Sequence, residues 1–216
     1  MLSNHDIDAL VGKLNIPNFK GCFYKDTLKK IEPSSSYIIN LNSEFNEKDE
    51  RNAGSHWVAL LTDDLKKAIY FDSYGEKEPN EIKNLLKCNQ YKIAHTSKNI
   101  QSLMSNLCGF FCLAFIYFLT ISKHRTKNII NDASIFLDLF EDLDLVDDKN
   151  EFILSLFFTD KKSKKLLFDL ILKTSLYLYN SFSSFLIGLL PFDDNEPSST
   201  FNNLGSMTNR LSILFI

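Results

Sequence analysis

The sequence predicts an α+β fold in which a small antiparallel sheet packs against one buried central helix. Two short apolar runs, 56–61 and 68–72, flank a polar turn and together indicate a β-hairpin. The segment 108–122 is apolar on nearly every side, which is typical of a helix buried inside a protein. Strand-like segments come before helix-like segments, an order that favours α+β organisation with the helices on one side of the sheet.

The remaining elements follow from local patterns along the chain. A first helix is expected over residues 4–14, capped by Ser3 or Asn4, and a first strand over 37–41. Residues 42–53 are polar and predict a surface loop before the hairpin. After the hairpin the expected elements are a helix at 79–88, a strand at 91–94, the central helix and further helices from about 127.

Length and composition indicate an ordinary folded chain. With 216 residues, 44% hydrophobic and 24% charged, it can form one domain with a sizeable core. The net charge of -3 predicts no general attraction to nucleic acid. The first residues lack the basic start and apolar stretch of a signal peptide.

We expect residues 1–150 to form the core and residues 151–216 to form a helical extension. The extension contains a run without a charge, 174–192, whose nineteen residues are long enough to suggest a membrane span. Four serines, Asn180 and Gly188 within that run favour instead a helix that packs on the core or serves an interface. The side chains expected to be buried there are Phe182, Phe185, Leu186 and Leu189.

The four cysteines are Cys22, Cys88, Cys108 and Cys112. They form no CxxC pair and have no metal-ligand spacing with the four histidines, so we expect neither a metal nor another cofactor. Cys108 and Cys112 lie four residues apart on one helix face, which disfavours a disulfide and favours a reducing compartment. Cys88 is expected to be a buried structural thiol.

Cys108 stands where the central helix is predicted to begin. A helix N-terminus carries about half a positive charge, which favours a thiolate over a thiol. Gln101 precedes Cys108 by seven residues and offers a neutral amide donor. This arrangement suits a nucleophile with an adjacent oxyanion donor.

The predicted hairpin also brings a histidine and an acid together. If the turn centres on residue 64, His56 and Asp72 lie directly opposite each other on one face, about 4.5–5.5 Å apart. An acid beside a histidine orients the imidazole and stabilises the imidazolium, which in turn lowers the pKa of a nearby thiol. His56, Asp72, Gln101 and Cys108 thus suit the base, orienting acid, oxyanion donor and nucleophile of a cysteine protease.

Three of these residues also have a plain structural explanation. A lone cysteine on an apolar helix usually fills a core, and a strand histidine beside Trp57 can satisfy a local hydrogen bond. Asp72 precedes Ser73, Tyr74 and Gly75 and can form a turn. The occurrence of all four in this order favours the catalytic interpretation.

Four segments of the chain resemble one group of proteases. GSHWVAL, YFDSYG, Gln101 and NLCGFFCLAF are similar to motifs of the adenovirus-type endopeptidases and the related SUMO-specific cysteine proteases. Segments 6–23 and 37–41 resemble proteases of virophages and Polinton (Maverick) transposons. The resemblance covers roughly residues 3–125. It implies a papain-like core in circularly permuted order, with the four residues in the roles given above.

The resemblance also implies a function. It suggests a protease of a virus or virus-like element that matures capsid or other virion precursors, acting in the host cytoplasm or viral factory and packaged in the virion. Alternatives are an isopeptidase for SUMO- or ubiquitin-like modifiers and a catalytically silent packaged binding module. Trp57 is compatible with either kind of protease.

The resemblance further implies an activator, since adenoviral enzymes respond to DNA and to a basic peptide linked through a disulfide. The mildly acidic net charge of this chain disfavours the DNA. Cys88 lies in about the region of the linking cysteine.

Overall fold

The computed structural model describes residues 2–50, 52, 55–121, 128–141 and 147–158. Within these ranges it contains five strands and five helices. In chain order they are α1 (Asn4–Leu14), β1 (Phe19–Tyr24), β2 (Ser36–Asn40), β3 (Trp57–Thr62), β4 (Lys67–Phe71), α2 (Asn80–Cys88), β5 (Lys92–His95), α3 (Cys108–Ile121), α4 (Ile129–Asp138) and α5 (Asp147–Leu156). The α+β class is as predicted, and the predicted elements lie within one or two residues of those observed.

The five strands form one mixed sheet whose spatial order is the same as the chain order. The pairs β2–β3 and β3–β4 are antiparallel, whereas the outer pairs β1–β2 and β4–β5 are parallel. The prediction of an antiparallel sheet is therefore wrong at both edges. Parallel neighbours need a crossover connection, which residues 25–35 provide at one edge and α2 at the other.

Helices cover both faces of the sheet, which corrects the prediction that they lie on one side. Helices α1, α3, α4 and α5 contribute to the larger hydrophobic cluster, whereas Ile82 and Leu86 of α2 belong to a second cluster on the opposite face. Every residue of β3 is buried, so both faces of this central strand are covered.

Helix α3 is the buried central helix that the sequence predicted. Phe115 stacks on Phe71 of β4 with 4.3 Å between ring centroids, and Phe136 of α4 packs edge-on against both rings. These aromatic contacts pack α3, whose first residue is Cys108, against the sheet.

The predicted end of the core at residue 150 lies inside α5. Ile153, Leu154 and Phe157, which follow it, are buried in the same cluster as α3. Residues 159–216, with the uncharged run 174–192 and the side chains expected to be buried there, lie outside the described residues, so the division into core and extension stays a prediction. No helix in the described part of the chain is long and apolar enough to cross a membrane.

Candidate active site

The hairpin that places His56 and Asp72 has a register different from the predicted one. Ala59 pairs with Phe71, so continuation of the ladder sets His56 opposite Tyr74 rather than Asp72. The turn centres one residue later than predicted, because the backbone N–H of Asp63 bonds the Lys67 carbonyl and closes a loop of three residues. The resulting shift of the partner is two residues, which leaves His56 and Asp72 on the same face as diagonal neighbours.

The imidazole of His56 and the carboxylate of Asp72 are in direct contact. His56 Nε2 lies 2.8 Å from Asp72 Oδ1, and the Asp72 side chain is only 1% exposed. The backbone N–H of Tyr74 donates to the same carboxylate oxygen at 2.8 Å. These contacts hold the carboxylate in place and orient the His56 ring.

A tight turn immediately after β4 supports this arrangement. The Gly75 N–H donates to the Asp72 carbonyl at 2.9 Å, and Gly75 has a φ of +77°. A Cβ at this position would lie 2.7 Å from the Ser97 carbonyl oxygen. Only glycine fits here, because both the backbone conformation and the available space exclude a side chain.

The thiol of Cys108 and the imidazole of His56 form a coupled pair. Burial alone would raise the pKa of Cys108, but hydrogen bonds from His56 and from the backbone N–H groups of Trp57 and Gly109 outweigh it and lower that pKa below its ordinary value. Burial works against the charge of His56 as well, yet Asp72 and Cys108 raise its pKa to about 9. Asp72 engages Nε2, which leaves Nδ1 of His56 for the thiol. The lowered pKa of Cys108 and the raised pKa of His56 both favour the thiolate–imidazolium form of the pair.

The other cysteines differ from Cys108. Burial raises the pKa of Cys22 to about 12 and that of Cys112 well above its usual value, and the Cys112 thiol donates to the Trp57 carbonyl at 3.2 Å. Cys88 is exposed at the end of α2, so the expectation that it is buried is wrong. Its neighbours Ile82 and Leu86 take the inward face of that amphipathic helix.

Gln101 is buried beside the same centre and its side-chain amide has a fixed orientation. Its Oε1 accepts a hydrogen bond from the Ser73 hydroxyl at 2.7 Å, and its Nε2 donates to the Ser105 carbonyl at 2.9 Å. Because a carbonyl oxygen can only accept, the end of the amide that faces Ser105 is the nitrogen. The second N–H of Nε2 has only a longer contact, 3.4 Å to the Tyr74 hydroxyl oxygen.

The first turn of α3 completes the donor set. The backbone N–H groups that open a helix have no acceptor within it, so the N–H of Cys108 is available to a ligand at the helix start. Leu2 and Trp57 lie close to this turn. A Cβ added to Gly109 would be 3.2 Å from Leu2 Cδ1 and 3.3 Å from the Trp57 ring. Trp57 Nε1 donates to the Leu2 carbonyl at 2.9 Å, which anchors the chain start beside Cys108.

Sequence reasoning missed three residues that surround the site. Ser73 orients Gln101, Tyr74 stacks on His56, and Asn150 of α5 donates to the Ile100 carbonyl at 3.1 Å. Ser73 and Tyr74 directly follow Asp72, so proximity in sequence was an available signal. Asn150 gave no such signal, because it is fifty residues away from Ile100.

The structure therefore brings His56, Asp72, Cys108 and Gln101 to one end of the sheet, around the start of α3. Within the described ranges, no group of three or more His, Cys, Asp or Glu side chains is placed to hold a metal ion. The expectation that no cofactor is needed stays a prediction. No protein-family model and no curated protein matches this chain.

Proposed function

We propose that this protein is a cysteine endopeptidase of a virus or virus-like element. The observation that carries the enzymatic part is the 2.8 Å hydrogen bond between His56 and the buried Asp72 carboxylate, beside a thiol at the start of α3 whose pKa His56 lowers. Such an arrangement favours a thiolate nucleophile together with a proton donor for the leaving group. The viral origin and the virion precursor substrates are supported by the resemblance of the sequence motifs.

The positions of these groups support the following mechanism. The Cys108 thiolate attacks the carbonyl carbon of the scissile peptide, and the electron pair of the carbonyl moves to its oxygen. The N–H groups of Cys108 and Gln101 bind this oxyanion. When the carbonyl re-forms, the peptide C–N bond breaks and the amine takes its proton from His56.

The second half of the reaction restores the enzyme. Neutral His56 removes a proton from water, and the hydroxide attacks the thioester through a second oxyanion. Collapse of that intermediate releases the carboxylic acid and regenerates the thiolate and imidazolium. Asp72 remains ionised throughout and stabilises the imidazolium.

The proposal is tested with a substrate panel and a matched inactive variant. Purified protein is incubated with fluorogenic peptides ending in Leu-Xaa-Gly-Gly, with SUMO and ubiquitin conjugates, and with capsid precursors, beside Cys108→Ala. We expect cleavage of peptides and precursors by the wild type only. Hydrolysis confined to the modifier conjugates would favour the isopeptidase, and absence of any hydrolysis would favour a silent binding module.

A further inference from the structure

Tyr74 occupies a position between the proposed catalytic residues. Its ring stacks on the His56 imidazole with 4.5 Å between ring centroids and an angle of 21° between the planes. Its hydroxyl oxygen lies 3.4 Å from Gln101 Nε2. The side chain is half-buried.

The phenol oxygen of Tyr74 and the second N–H of Gln101 are direct neighbours. Nε2 already gives one N–H to the Ser105 carbonyl at 2.9 Å, and its second N–H has only the longer contact with Tyr74. A separation of 3.4 Å makes a weak hydrogen bond. An oxyanion is a much stronger acceptor than a phenol, so it can replace this contact.

We propose that Tyr74 is a further catalytic residue, whose hydroxyl donates a hydrogen bond to the oxyanion beside the N–H groups of Gln101 and Cys108. The inference rests on the proposed protease function. The thiolate forms the S–C bond, the carbonyl electron pair moves to oxygen, and the Tyr74 O–H binds that oxygen without transferring its proton. The hydrogen bond weakens again when the carbonyl re-forms and the amine leaves with the proton of His56.

The environment of Tyr74 keeps this donor protonated. Burial first, and then the negative charges of Cys108 and Asp72, raise the pKa of Tyr74 above its ordinary value. The phenol therefore retains its proton wherever the thiolate and imidazolium coexist. The stacked imidazole of His56 restricts the ring, so the hydroxyl is held in position before the substrate arrives.

The test uses Tyr74→Phe, which removes the hydroxyl and keeps the ring on His56. Tyr70→Phe is the matched control, because Tyr70 is a fully buried tyrosine of β4 whose ring lies in the cluster on the opposite face of the sheet. Three quantities are measured for each full-length variant: kcat and KM on a fluorogenic Leu-Xaa-Gly-Gly peptide, the affinity for a peptide aldehyde, and the rate of alkylation by iodoacetamide. The aldehyde forms a tetrahedral adduct with an oxyanion, whereas alkylation develops no oxyanion.

We expect Tyr74→Phe to lower kcat by tenfold or more and to weaken aldehyde binding by a similar factor, since one oxyanion donor is commonly worth about 10²–10³ in kcat. KM and the alkylation rate should stay near the wild-type values, and Tyr70→Phe should leave all three unchanged. Unchanged kcat and aldehyde affinity in Tyr74→Phe overturn the inference. A parallel fall in the alkylation rate also overturns it, because Tyr74 would then act through the His56–Cys108 pair. Wild-type protein that cleaves nothing overturns the proposed function as well.

Discussion

At the scale of single residues, the chemistry depends on one proton shared between Cys108 and His56. Two effects act on the pKa values of these groups in opposite directions. Burial disfavours both charges, whereas the contact between the two groups and the nearby Asp72 favour them. The contacts prevail for both groups, because the imidazole meets an acceptor on each side. The same burial without such partners leaves Cys22 and Cys112 protonated.

This balance predicts the pH dependence of Cys108 alkylation. In a Cys88→Ser background, which removes the exposed thiol, iodoacetamide should label Cys108 before Cys22 and Cys112. Labelling should persist as the pH falls below about 8.5, the usual pKa of a free thiol, because the pKa of Cys108 is lowered. Peptide cleavage should decline as the pH rises through about 9, where His56 loses its proton.

Asp72→Asn is the variant that checks the cause of this profile. Loss of the carboxylate removes a contact that raises the pKa of His56, so the alkaline decline should move to lower pH. Asp72→Ala should slow acylation less than His56→Ala does, since the acid orients rather than reacts. If the alkaline decline of cleavage in Asp72→Asn stayed at the wild-type pH, another group would be responsible for the raised pKa of His56.

The amide of Gln101 predicts a different kinetic pattern. Gln101→Ala should reduce kcat by about 10²–10³ with little change in KM, because one oxyanion donor is lost. Ser73→Ala should give a smaller reduction, since the amide loses the hydroxyl that anchors its Oε1 at 2.7 Å. Neither variant should slow iodoacetamide alkylation, and a slower alkylation would assign both residues to the thiolate instead.

At the scale of elements, the site depends on segments that are far apart in the chain. β3 and β4 place His56 and Asp72, the start of α3 places Cys108, and the connection before α3 carries Gln101. Helix α5 reaches this connection through Asn150, which is 1% exposed. Its amide donates to the Ile100 and Glu141 carbonyls and accepts from the Glu141 N–H.

Asn150→Ala should therefore affect both stability and activity. It leaves the Ile100 carbonyl without its buried partner, at a cost of roughly 1–3 kcal/mol in the free energy of unfolding. Because Gln101 is the next residue, kcat should fall as well. Lys149→Ala is the control, since its exposed ion pair with Glu141 is worth about 0–1 kcal/mol. Thermal unfolding and peptide hydrolysis of both variants measure the difference, and equal behaviour would show that α5 does not support the site.

At the scale of the whole molecule, helix α5 contributes buried side chains to the cluster around α3. Ile153, Leu154, Leu156 and Phe157 of the α5 region are all buried. At roughly 1.5–3 kcal/mol for each fully buried large side chain, they contribute an amount comparable with the whole stability of a typical domain, about 5–15 kcal/mol.

Two truncations separate the role of α5 from that of the residues after it. A 1–150 fragment should aggregate and melt at a lower temperature than the full chain, although it keeps all four proposed catalytic residues. A 1–158 fragment keeps every buried side chain named above, so its melting temperature reports what residues 159–216 add. Light scattering, thermal unfolding and peptide hydrolysis measure both fragments. A soluble and active 1–150 fragment would contradict the contribution assigned to α5.

Local patterns were sufficient to predict the four candidate residues and most of the elements, but not the edge strand β1. Alternating and continuous apolar runs depend on neighbours in the chain, so they locate α1, the hairpin and α3 within one or two residues. The face shared by His56 and Asp72 was also predictable, because side chains alternate along a strand. Because the turn is centred one residue later than predicted, the residue opposite His56 shifts by two positions, and His56 and Asp72 stay on the same face of the sheet.

Only the tertiary structure decided the rest. The parallel edge strands, the helix on the second face of the sheet and the exposure of Cys88 depend on how crossover segments return to the sheet. The support of Gln101 by Ser73 and of Ile100 by Asn150 joins residues separated by 28 and 50 positions. The sequence by itself determined four of the side chains that carry the proposed chemistry, because their types and order can be recognised without a fold, whereas Tyr74 was assigned only from its contacts with His56 and Gln101. The packing of distant segments determined how those side chains are held, because no local pattern specifies which remote donor meets a buried acceptor.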